Sequence, residues 1–136
     1  MEIKVASGYR SVEDIDDMIA MMVDRVSKLP AAQRYIIAAD WRNVTVMSPE
    51  TSARARAMLA KSNARVERSS ILTNSEQSMT NLQVQRLVRE AENENRRHFI
   101  SARAQHAWLS EVLTQEESAR LAEFLGVTGS SRLPPG

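Results

Sequence analysis

Few side chains in this sequence could serve as nucleophile, general acid or metal ligand, and their spacing is poor. There is no cysteine, which removes thiol nucleophiles, disulfides and cysteine-ligated metals together. The two histidines, His98 and His106, stand eight residues apart across an expected strand-to-helix junction. That spacing does not put two imidazoles on one metal, so neither metal nor cofactor is expected. The glycines Gly8, Gly126, Gly129 and Gly136 leave no glycine-rich loop after any strand. A P-loop and a dinucleotide fingerprint are therefore absent. No serine sits between glycines as a nucleophile elbow requires. The carboxylate pairs Asp16-Asp17 and Glu116-Glu117 fall near the starts of expected helices, where complementing the helix dipole accounts for them.

Asp40 is the exception. It follows the unbroken apolar run Tyr35 to Ala39, the pattern of a strand buried on both faces. A carboxylate leaving such a strand stands at the edge where open α/β proteins place their sites. The structural role open to it is to accept hydrogen bonds from loop amides around Asn43 and Val44 and so fix the turn. An enzyme built on Asp40 with His98 or His106 finds no supporting spacing, so catalysis is not expected. Trp41 and Arg42 follow directly, and Trp and Arg are residue types that often anchor interfaces. Ser48-Pro49-Glu50 then reads as a helix start: serine at the N-cap, proline pre-set in the first turn, glutamate facing the positive helix end. Asp40, Trp41, Arg42, Ser48, Glu50 and Arg54 are accordingly the candidate partner-binding residues.

The elements that must position this stretch can be read in order. Glu2 to Ala6 alternates as a half-buried strand, and as a sheet edge it could pair with a second copy. Ser11 caps a helix whose apolar stripe is Val12, Ile15, Met18, Ile19, Met22 and Val26, closed by Pro30. The helix from Pro49 to about Asn63 places Ala53, Ala57, Ala60 and Ala64 on one line, suited to close packing on a sheet. A strand from Arg68 to Thr73 precedes a helix from about Glu76 to Asn93. Its face is Val84, Leu87, Val88 and Ala91, extended by Met79 and Leu82. A strand near Arg97 to Ile100 leads into a helix carrying Ala104, Ala107, Trp108 and Val112. Thr114 to Glu117 then forms a capping box for a last helix ended by Gly126. The order β-α-β-α-β-α-β-α-α predicts an α/β domain over residues 1–127, with a small, mainly parallel sheet of about four strands. Residues 128–136 read as a flexible tail.

Composition narrows the partners. The net charge is +1, so no strong field draws the whole chain to nucleic acid or anionic lipid. Arg86, Arg89, Arg96, Arg97 and Arg103 are broken up by Glu90, Glu92 and Glu94, and are expected to form a solvated face with intrahelical pairs. No apolar run approaches the roughly 20 residues that span a bilayer. The N-terminus lacks the apolar region of a signal peptide, so a cytoplasmic location is the expectation.

The element order, the segment Ala39 to Thr51 and the C-terminal run RRHFISARAQHAWL resemble the STAS domain of bacterial anti-sigma-factor antagonists, and its STAS/SEC14-like relatives. The resemblance implies a mixed sheet with helices mainly on one side, no catalysis, and a signalling or scaffold function through protein contacts. In the antagonists a serine at the start of the second helix is phosphorylated. Here that position reads Ser48-Pro49-Glu50-Thr51, so the usual acceptor is missing and only Ser48 and Thr51 offer nearby hydroxyls. The SEC14-like side of the resemblance implies the alternative, a small apolar ligand or lipid held between the methionine-rich first helix, the second helix and the sheet.

Overall fold

The computed structural model describes residues 2–4, 12–30 and 33–127. The expected cap at Ser11, the end of the first strand at Val5 and Ala6, and the tail lie outside these residues. The strands are β1 (Glu2–Lys4), β2 (Tyr35–Asp40), β3 (Val66–Leu72) and β4 (Arg96–Phe99). The helices are α1 (Val12–Ser27), α2 (Pro49–Ser62), α3 (Ser78–Glu90), α4 (Ala102–Ser110) and α5 (Gln115–Leu125). The body of the sheet is the parallel set β2, β3 and β4, and the three-residue β1 extends it along β2, also in parallel.

A parallel neighbour can be reached only by a crossover, and crossovers of one hand between successive neighbours place their helices on one face. The packing obeys that rule. Ile37 and Ala39 of β2 and Ile71 of β3 pack with Ile15 and Met22 of α1, Ala55 and Leu59 of α2, and Val84 and Leu87 of α3. Ala38 and Leu72 point to the opposite face, where Trp108 and Leu109 of α4 meet Leu121 and Leu125 of α5. Because α4 and α5 do not connect parallel neighbours, they are free to cover that second face. The described strand pairs are all parallel and the helices divide three and two. The mixed sheet with helices mainly on one side therefore does not describe these residues.

Local signals set the helix ends. Ser48 accepts the Thr51 N–H at 3.2 Å, with Pro49 in the first turn. Thr114 and Glu117 form a reciprocal capping box. Gly126 takes the left-handed conformation at φ 77°, and the Val127 N–H reaches back to the Ala122 carbonyl at 2.8 Å.

The buried face of α2 and the surroundings of Arg96 differ from expectation. On α2 the buried positions are Thr51, Ala55 and Leu59, while Ala53, Ala57, Ala60 and Ala64 are exposed. Leu59, with the partly buried Met58, brings more apolar area to the sheet than the alanine line. Arg96, expected on a solvated face, is 4% exposed. Its guanidinium donates to Asn63 Oδ1 at 2.7 Å, Ser69 Oγ at 3.0 Å and the Leu59 carbonyl at 3.0 Å, tying the end of α2 to β3 and β4. Burial pulls its pKa below the ordinary arginine value. An arginine keeps its proton even so, and its hydrogen-bond partners therefore carry the cost of the buried charge.

Arg96→Ala is expected to lower stability in urea unfolding by about 2–4 kcal/mol, since it removes the hydrogen bonds to Asn63, Ser69 and Leu59 from a buried site. The exposed Arg103→Ala should change it by less than about 0.5 kcal/mol. Equal stability of the two variants would contradict the buried clamp.

Candidate interaction site

The C-terminal ends of β2, β3 and β4 and the segment joining β2 to α2 form one edge of the molecule. Asp40 ends β2, and its buried carboxylate holds Arg42 in a fork: Nε donates to Oδ1 at 2.9 Å and Nη2 to Oδ2 at 2.8 Å. The Arg42 backbone N–H also donates to Oδ1, at 3.1 Å, and Nη2 reaches the Leu125 carbonyl at the end of α5 at 3.3 Å. Asp40 holds the pKa of Arg42 above its ordinary value, first by the side-chain hydrogen bond and then by its charge. The structural role thus falls on Asp40 as expected, with Arg42 rather than the amides of Asn43 and Val44 as the partner seen here.

Trp41, expected as an aromatic anchor, is 2% exposed and lies in the core on the α1–α3 side. The strand pleat accounts for this, because Ile37 and Ala39 face that side and Trp41 continues the alternation. Its N–H continues the ladder to the Leu72 carbonyl at 2.8 Å. Val44 and Met47 are buried behind it. Gln83 of α3 grips the Met47 backbone on both sides, accepting its N–H and donating to its carbonyl, each at 2.9 Å. Val46, between these buried positions, is turned outward and is 53% exposed.

The remaining predicted residues do not form one surface with Asp40. Ser48 is exposed, but its hydroxyl accepts the Thr51 N–H and donates to Thr51 Oγ1 at 2.9 Å. Thr51 is fully buried, at 0% exposure, so its hydroxyl offers no surface acceptor for phosphate. Glu50 is exposed in the first turn of α2. Arg54 turns toward α1 and pairs with Asp16 at 3.5 Å.

In place of a single polar patch the structure presents an apolar one. Met79 and Leu82, expected on the buried face of α3, are 66% and 63% exposed. They precede Val84 by five and two positions, which at about 100° per residue puts them on the far side of the helix. With Val46, Pro49 and Ala53 they line a groove of about 540 Å³ between α2 and α3. Arg56 and Arg86 border it and share Glu90, at 3.2 and 3.3 Å, and these hydrogen bonds lower the Glu90 pKa.

A second polar cluster stands farther along the same edge. Asn81 donates its amide to the Asn74 carbonyl at 3.1 Å, which turns its Oδ1 toward the Thr73 hydroxyl. Thr73 must then donate to Asn81 and accept from His98 Nε2 at 2.6 Å, so neutral His98 carries its proton on Nε2. Burial lowers the His98 pKa below the usual 6.5. His106 lies apart, its Nε2 donating to the Ser118 carbonyl at 2.8 Å between α4 and α5. Neither histidine is brought to Asp40 by any contact seen here. Among the described residues no three of His, Asp and Glu gather where they could hold a metal ion, and no helix is long and apolar enough to cross a membrane.

No protein-family model matches the chain, and no curated protein or solved structure matches it.

Burial of His98 sets the direction of a pH response. A histidine whose folded pKa lies below its unfolded one contributes stability fully above 6.5, and this is lost as pH falls toward the folded value. Ring NMR is expected to show the Nε2–H tautomer and an apparent pKa below 6.5. Between about pH 7 and pH 5 the wild type should lose more stability than His98→Gln. An Nδ1–H tautomer, or identical pH slopes, would refute this arrangement.

Proposed function

We propose that this chain is a non-enzymatic protein-interaction module of STAS-like type, acting in signalling or as a scaffold without the usual phospho-acceptor switch. The observation that carries the reading is the apolar trio Val46, Met79 and Leu82, held in the open on a groove beside the segment joining β2 to α2. Large exposed side chains gathered on a concave surface are characteristic of contact sites rather than of a solvated face. The alternation of strands and helices fits the element order on which the STAS resemblance rests, while the all-parallel pairing of the described strands departs from the mixed sheet it implies. Thr51 is enclosed and the Ser48 hydroxyl is spent on the helix cap, which supports a contact that does not depend on phosphorylation. The contact surface proposed here is centred on α3 and Val46, with Ser48 and Glu50 at its margin and Trp41 behind it as support.

A second reading is favoured by a different feature. Between α1 and α2 lies a cleft of about 540 Å³ walled by Ile19, Met22, Val23, Val26, Tyr35 and Met58. That volume lies in the roughly 300–1,000 Å³ range of small-molecule sites. It supports the alternative function, a small apolar ligand or lipid bound in the SEC14-like manner.

The first reading is tested by affinity capture with three forms of the full chain. A partner retained by wild type and by Met21→Glu should be lost about tenfold or more from Met79→Glu/Leu82→Glu, with unchanged circular dichroism. If the folded double variant keeps every partner, the α2–α3 groove is not the contact surface.

A further inference from the structure

The cleft between α1 and α2 combines apolar walls with a rim whose charges do not balance. Its charged lining residues are Asp16, Arg54, Lys61 and Arg65. Asp16 is engaged by Arg54 at one end. Lys61 and Arg65, in the last turn of α2 and just beyond it, have no carboxylate partner among the described residues. Arg65 is held in place: Nε donates to the Gln33 carbonyl at 3.2 Å, and Nη2 donates to the carbonyls of Pro30 and Gln33 at 3.1 and 2.8 Å. Its guanidinium carbon sits 5.9 Å from the centre of the Tyr35 ring. Nη1 donates to no acceptor among the described residues, so the fork is fixed with one arm unused.

A purely apolar ligand would fill the walls and leave this pair of cations without a counter-charge. We propose that the cleft binds a single-chain anionic amphiphile of the fatty-acid class. Its chain lies against Ile19, Met22, Val26 and Met58, and its carboxylate meets Lys61 and the free arm of Arg65. This rests on the apolar-ligand reading of the cleft and adds the charge and the direction of the ligand. Both cations are partly in water, so they discriminate by a modest factor that salt screens.

The test titrates the full chain with chain-matched probes below their micelle concentrations: laurate, dodecanol and dodecyltrimethylammonium. Laurate is expected to bind about five- to tenfold tighter than dodecanol, with the ammonium weakest. Lys61→Glu should erase the preference and Lys61→Arg should retain it. Ala57→Trp, placed on an exposed wall position of the cleft, should abolish binding of all probes. Equal binding of laurate and dodecanol to wild type would overturn the anionic head while leaving an apolar ligand in the cleft. Binding of none of the probes would overturn both readings. Laurate binding untouched by Ala57→Trp would place it elsewhere and overturn the proposal.

Discussion

The fork between Asp40 and Arg42 is the contact on which the turn from β2 toward α2 depends. Asp40 ends a strand in the middle of the fold, and a carboxylate buried there is tolerable only when paired and hydrogen-bonded. Arg42 meets that need from two residues away, which forces the chain to turn as soon as it leaves the sheet. The same guanidinium reaches the last carbonyl of α5, so one ion pair joins the turn to the helix layer on the opposite face. Trp41 is thereby pressed into the core on one side of the sheet while Arg42 is held on the other.

Beyond Arg42 the chain is pinned at successive points before α2 begins. Val44 closes a turn onto the Trp41 carbonyl, Met47 is gripped by Gln83, and Ser48 caps α2. With its neighbours bound in this way, Val46 has no path inward and is displayed. Arg96 performs the corresponding service nearer the other end of the sheet, binding the end of α2 to β3 and β4. The helices that wall the proposed grooves are thus placed by polar clamps as well as by the apolar core. A contact surface built on such supports loses little conformational entropy on binding.

Much of the fold was legible because its signals are local. Ser48-Pro49, the Thr114–Glu117 box and Gly126-Val127 each involve neighbouring residues, and each forms as the sequence predicts. The alternation of strands and helices was legible from apolar spacing. Other features depend on which face of a helix meets the sheet. The regular alanines of α2 predict a packing line, yet Leu59 and Met58 decide the phase. The apolar character of Met79 and Leu82 predicts an inward position, whereas their angular offset from Val84 sets them on the exposed side. Trp41 could have been placed by continuing the two-residue period of β2 past Ala39. The burial of Arg96 had no sequence signal, because Asn63, Ser69 and Leu59 are brought to it only by the folded chain.

Pinned by these contacts, the segment from Trp41 to Ser48 is a pre-formed platform rather than a loop that orders on contact. Native-state amide hydrogen exchange tests this most directly, residue by residue, without knowledge of a partner. The Trp41, Val44 and Met47 amides, bonded to the Leu72 carbonyl, the Trp41 carbonyl and Gln83 Oε1, are expected to exchange as slowly as those of β2 and β3. Exchange of these three at the rate of an unprotected chain, while the strands stay protected, would contradict the account.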